Sequence, residues 1–174
     1  GVPRILHLGQ PAKLPRSQTR ALLYRLGTKL EPISRDELIA LFWPELDEGT
    51  ARLNFRRLLS FVRRDLPDPD ALVATSDSVS LDPQLVWSDT DAIQHLKHVD
   101  TVNGWIAAAD LYGGPFLSGF YLRNCVDYEL WQSTTMHRLR EDCLEALAKL
   151  IDHTANRGDI ERATEYARRY LEIN

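Results

Sequence analysis

Cysteine is nearly absent from this 174-residue chain, which has only Cys125 and Cys143. Two thiols in a chain of this size do not make a disulfide framework, so reduced thiols are expected. Long apolar runs are missing too. A membrane span needs roughly 20 such residues, so no membrane partner is expected. The N-terminal GVPRILHLGQPAKLPRSQTR has no basic stretch ahead of an apolar core, so a secretory leader is not expected and the expected location is cytoplasmic.

The motifs of common enzyme classes are also lacking. There is no phosphate-cradling G-x-x-x-x-G-K-[ST], no G-x-G-x-x-G and no G-x-S-x-G. The glycines of GGPFLSGF, residues 113–120, come without a lysine and read as a turn. Histidines 7, 95, 98, 137 and 153 are scattered. Asp91, His95 and His98 share helical spacing, but a metal needs three or four ligands fixed together and no further cluster joins them. No catalytic residue, metal, cofactor or small-molecule ligand is therefore expected.

Positive charge is in deficit overall, with 21 Lys+Arg against 25 Asp+Glu and a formal net charge of −4. That balance argues weakly against nucleic acid, whose binding domains are often basic. One stretch runs the other way. Ala51 to Arg64, ARLNFRRLLSFVRR, holds five arginines and no acid.

The pattern along the chain predicts mostly helix with a small β component. Residues 4–14 read as one or two short strands around Gly9-Gln10-Pro11. Ser17 to Leu26 reads as a helix that buries Ala21, Leu22, Leu23 and Leu26, with Gly27 as its stop. Ser34-Arg35-Asp36-Glu37 has the form of a capping box for a second, short helix that ends at Pro44. Asp47 is a good N-cap for a third helix reaching about Leu66. Its apolar stripe is Ala51, Phe55, Leu58, Leu59, Val62 and Leu66, three and four apart. That phase sends Arg56, Arg57, Ser60 and Arg64 to the opposite side and leaves Arg52, Asn54, Phe61 and Arg63 on the flanks. With no acid inside the stretch, i,i+4 ion pairs explain these arginines poorly. LVATSDSVSLD, residues 72–82, reads as a hairpin around Ser76-Asp77-Ser78.

Residues 82–89 read as a linker or final strand, and from about residue 100 the pattern changes to helices only. Helices are expected over Asp89 to His98, over Val102 to Leu111, over Val126 to about Ala155 as one helix or two abutting ones, and over Ile160 to Ile173. The long segment carries Leu130, Leu139, Leu144, Leu147 and Leu150, and Tyr128, Trp105, Trp131 and Cys143 read as core. The pattern is still open at Asn174, and a continuation is expected.

Helix, helix, longer helix and hairpin, preceded by short strands, is the order of a winged helix-turn-helix. In that arrangement two helices hold the third so that its outer face stays free, and an α-helix fits the major groove. Arg52, Asn54, Arg56, Arg57, Ser60, Arg63 and Arg64 on the helix, with Ser76 and Ser78 in the hairpin, are the candidate DNA-binding residues. The two domains are expected at residues 1–88 and 89–174.

DELIALFWPE, ARLNFRRLLSFVRRDL and LVATSDSVSLD together resemble the OmpR-type winged helix of the SARP class of bacterial transcription activators. Leu59 to Leu66 is similar to that family's L-S-x-L-R-R-x-L. The hairpin departs from it, with Ser78-Val79 where the family carries Gly-Tyr, and the N-terminal sheet is short. Leu111-Tyr112-Gly113-Gly114-Pro115-Phe116-Leu117, Glu129-Leu130-Trp131 and the run from Arg140 to Asn174 resemble the bacterial transcriptional activator domain that follows. Gly158-Asp159, Ala163, Tyr166-Ala167 and Leu171 to Asn174 are similar to one tetratricopeptide unit. The resemblance implies a winged helix-turn-helix joined to an α-helical, TPR-like domain. It also implies a sequence-specific activator whose partners are double-stranded DNA, RNA polymerase and a second protomer. The alternative is a protein-interaction scaffold whose degenerate winged helix does not bind DNA.

Overall fold

The computed structural model describes all residues from Gly1 to Asn174. The chain is mostly helical with a small sheet component, and it divides into two compact units. One comprises Arg4–Ser88 with Tyr121–Trp131. The other comprises Gly1–Pro3, Asp89–Phe120 and Gln132–Asn174. No helix is long and apolar enough to cross a membrane.

The first unit opens on two antiparallel two-residue strands, β1 (Leu6–His7) and β2 (Gln10–Pro11). The turn between them is Leu8-Gly9, so Gln10 and Pro11 lie in the strand and not at the tip as the spacing predicts. The reason is dihedral. A type I′ turn, one of the two favoured in two-residue hairpins, needs positive φ at both positions. Gly9 takes φ +78° easily and Leu8 is drawn to +49°. Proline, locked at negative φ, has no place there.

Helix α1 (Ser17–Gly27) buries Ala21, Leu22, Leu23 and Leu26, as their spacing predicts. Strand β3 (Ile33–Ser34) leads directly into α2 (Arg35–Phe42). Ser34 Oγ accepts from the Glu37 amide at 3.1 Å, so half of the predicted capping box is made. The reciprocal half is not made. The Glu37 carboxylate pairs with Arg25, and Ser34 is already a strand residue paired with Ser78.

Helix α3 (Glu48–Asp65) is capped by Asp47, whose Oδ1 accepts from the Thr50 amide at 3.0 Å. Those hydrogen bonds hold the Asp47 carboxyl below its usual range. Ala51, Phe55, Leu58, Leu59 and Val62 are buried in one stripe, while Leu66 lies past the helix end and is half-buried. After a short turn of 3-10 helix come β4 (Leu72–Ala74) and β5 (Ser78–Leu81), and the three strands form an antiparallel sheet in the order β3-β5-β4. Val79 opposes both Ile33 and Ala74, and Leu81 opposes Leu72. α1 packs against α3 and β5, and α2 packs against α3. Each fully buried Leu, Val or Phe here contributes about 1.5–3 kcal/mol by leaving water.

The distant segment Tyr121–Trp131 completes this core. Tyr128 is fully buried; its hydroxyl donates to the Ala21 carbonyl at 3.1 Å, and its ring lies 5.6 Å from Phe42. Burial pushes its phenol well above the usual range. The Cys125 thiol points at the Leu41 carbonyl at 3.2 Å.

The second unit holds α4 (Asp89–Leu96), α5 (Val102–Leu111), most of α6 (Val126–Asn156) and α7 (Ile160–Ile173). α6 is one uninterrupted helix. Ala109, Cys143, Leu147 and Leu150 form the buried centre, with Trp105, Ile106, Tyr112, Tyr166, Tyr170 and Ile173 packed against it. Burial pushes the Cys143 thiol up to about 11. Leu130 does not continue the buried series of α6 and is 66% exposed. Tyr128 fixes the helix phase there, and a residue two positions on points to the other side. Gly158, at φ +75°, closes α6, and Asp159 caps α7 by accepting from the Arg162 amide at 3.2 Å.

Candidate nucleic-acid interface

The buried stripe of α3 determines what its other side presents. With Ala51, Phe55, Leu58 and Val62 turned inward, residues 53, 57, 60 and 64 form the outward stripe at i, i+4, i+7 and i+11. Leu53, Arg57, Ser60 and Arg64 are all exposed, as are the flanking Arg52, Arg56 and Arg63. Asn54 is half-buried. The outward stripe thus holds a leucine among the arginines, placed there by the same helical phase.

The five arginines differ in how they are held. Arg52 pairs with Glu48 at 2.8 Å, one turn earlier on α3, and reaches Asp36 of α2 at 3.5 Å. The expectation that ion pairs explain these arginines poorly is therefore corrected for Arg52: its partner stands just outside the acid-free stretch. Arg56 Nε donates to the Arg52 carbonyl at 3.4 Å. Arg64 Nε donates to the Asp65 carboxylate at 3.1 Å. Arg56, Arg57 and Arg63 make no ion pair, and the five guanidinium donors each of Arg57 and Arg63 are left to solvent.

The C-terminal end of α3 carries a cluster that spacing alone does not show. Arg16, from the segment before α1, reaches Asp65 at 2.6 Å. Its guanidinium lies 4.5 Å from the Phe61 ring centre, and that of Arg64 lies 5.0 Å from the same ring. Two cations therefore share one carboxylate and one aromatic ring. Desolvation raises the Asp65 carboxyl, but hydrogen bonds and charge from Arg64 and Arg16 outweigh it and hold the group below its usual range. Asp65 stays ionised and keeps both guanidiniums in place. No period or motif reveals Arg16, because its contact is 49 residues away in sequence.

The hairpin is tied to itself more than the spacing suggests. Ser78 is a residue of β5, half-buried, and its amide donates to Thr75 Oγ1 at 3.0 Å. The turn is Thr75-Ser76-Asp77, with Ser76 exposed at the tip. Asp77 offers its carbonyl to the amide of Arg35, the first residue of α2, at 2.8 Å. The two serines thus stand differently: Ser76 presents its hydroxyl to solvent, and Ser78 lies 3.1 Å from the Thr75 hydroxyl.

The Asp91–His98 spacing gathers no larger set. His95 Nδ1 lies 3.3 Å from the Asp91 carboxylate, and no group of three or more His, Cys, Asp or Glu residues could hold a metal ion. Trp105 and Trp131 are half-buried, and the Trp131 ring lies tilted against that of Tyr128 with centres 4.9 Å apart.

Charge separates by unit. The unit carrying α3 has 13 Lys+Arg and 13 Asp+Glu, whereas the helical unit has 8 and 12 and so holds the whole net −4. The arginine face therefore belongs to a unit that is neutral as a whole. No protein-family model matches the chain, and neither does any curated protein.

Proposed function

We propose that this chain is a sequence-specific DNA-binding transcription regulator, an activator of the SARP type, located in the cytoplasm. In this reading Arg4–Ser88 acts as a winged helix-turn-helix. α3 enters the major groove, and the β4–β5 hairpin lies over the neighbouring backbone as the wing. The helical unit is a TPR-like scaffold for a second protomer or for RNA polymerase. The observation that carries the reading is the outward face of α3. Five guanidiniums stand exposed on the outward stripe and its flanks, and three of them, Arg56, Arg57 and Arg63, have no carboxylate partner. Guanidiniums so placed neutralise phosphates and fork onto guanine O6 and N7.

The test is duplex binding at two salt concentrations. Each neutralised phosphate releases counterion, so affinity should fall steeply with salt. Arg57→Ala with Arg64→Ala should weaken binding at least tenfold and reduce the slope of log K on log salt by about 2, roughly one unit per lost phosphate contact. Unchanged binding in that variant would place the DNA face elsewhere.

The second reading is an interaction scaffold that has lost DNA binding. It is favoured by the glycine-free hairpin turn and by the carboxylates already held on Arg52 and Arg64. A chain that binds no duplex even at low salt would support it.

A further inference from the structure

The outward stripe of α3 contains one residue that phosphate binding does not explain. Leu53 is 43% exposed, and it is the only large apolar side chain of α3 that is exposed; Phe55, Leu58, Leu59 and Val62 are buried and Phe61 is half-buried. A single exposed leucine is ordinary on a protein surface. The position of this one is less so. It lies on the same stripe as Arg57, Ser60 and Arg64, with Arg52 and Arg56 on the flank beside it. It also lies in the N-terminal half of the helix, the part of a recognition helix that meets base edges.

We infer that Leu53 is a specificity-determining residue that reads the C5-methyl group of a thymine. The inference rests on the DNA reading above and adds which base the face selects. Leucine cannot donate to a phosphate or pair with a base edge. On the four base-pair edges of the major groove, the only apolar group is the thymine methyl. Against any other edge, Leu53 would strip water from donors or acceptors and return no hydrogen bond, which is unfavourable. The side chain thus selects for thymine by attraction and against the other bases by desolvation.

Spacing adds a second constraint. Leu53 and Arg57 are four residues apart, about 6 Å along the helix axis at 1.5 Å per residue. Base pairs are stacked about 3.4 Å apart. A guanine read by Arg57 should therefore lie within about two base pairs of the selected thymine.

The experiment uses the whole chain. Duplexes bound from a randomised pool at low salt are recovered, and in the tightest of them each thymine is replaced singly by deoxyuridine, which lacks the methyl. At one thymine, within about two base pairs of a guanine, the replacement should weaken binding about fourfold, the worth of one buried methyl-sized group. Leu53→Ala, at an exposed site that leaves the core intact, should bind the thymine and deoxyuridine duplexes equally. Its helical circular dichroism should match that of the parent. If no thymine responds, or if Leu53→Ala responds as strongly as the parent, the assignment is overturned while DNA binding stands. If the pool yields no bound duplex at all, the DNA reading itself fails and takes this inference with it.

Discussion

Tyr128 is the residue on which the N-terminal core closes. Its ring is enclosed by Phe42 and Trp131, and its hydroxyl finds the Ala21 carbonyl, which already serves α1. Burying a phenol without a partner would be costly, so the hydrogen bond is what makes tyrosine acceptable there. Tyr128→Phe keeps the ring and removes the hydroxyl. It should destabilise the protein by about 1 kcal/mol, the net worth of one such bond, read as a lower urea midpoint at unchanged slope. Arg16 and Arg64 show the same principle on the surface. Asp65 and Phe61 hold both guanidiniums, and Asp65 remains charged because both of them face it.

Among the elements, α5 shows how a single position can set an approach. Gly104 follows the Thr101 cap, and a Cβ there would come within 2.7 Å of the Val99 carbonyl oxygen. That neighbour is backbone and cannot swing away, so the turn between α4 and α5 must widen to admit a methyl. Gly104→Ala removes the helix penalty of glycine, about 1 kcal/mol, but the overpacking costs about 1–3 kcal/mol. The net outcome should be destabilisation, seen as a lower thermal midpoint; a raised midpoint would mean that the turn yields freely. α3 shows the opposite economy. Its cap, stripe and outward face all follow from one 3.6-residue period, and that period also places Leu53.

For the whole molecule, the proposed DNA reading raises the question of whether net charge or local contact would govern such association. The −4 resides in the helical unit. A distant charge acts through a field screened over about 10 Å at 0.1 M salt, whereas a contacted phosphate releases its counterion. Replacing Glu161, Glu165 and Glu172 of α7 by glutamine should therefore raise affinity slightly at low salt and leave the salt slope unchanged. Arginine loss from α3 should lower the slope instead. A slope that shifts with the α7 carboxylates would show that the helical unit itself meets the phosphates.

Most of the elements were legible in the sequence, because caps and hydrophobic period are local. Asp47, Ser34 and the Ala51–Val62 stripe each act within four residues, and the helix of Val102–Leu111 follows from its own pattern. The Arg52–Glu48 pair is equally local, its partners one turn apart on α3. Other features depended on chain segments meeting in space. Tyr128 touches Ala21 across 107 residues, and Arg16 touches Asp65 across 49. Leu8 takes a positive φ only because β1 and β2 pair around it. The sequence by itself determined which residues form helices and which face of α3 is apolar, since each helix carries its own period. Only the tertiary structure decided that Tyr121–Trp131 completes the first core, which guanidiniums are already paired, and which side chains of α3 remain exposed without an ionic partner. Those outcomes depend on non-local packing, which no local pattern encodes.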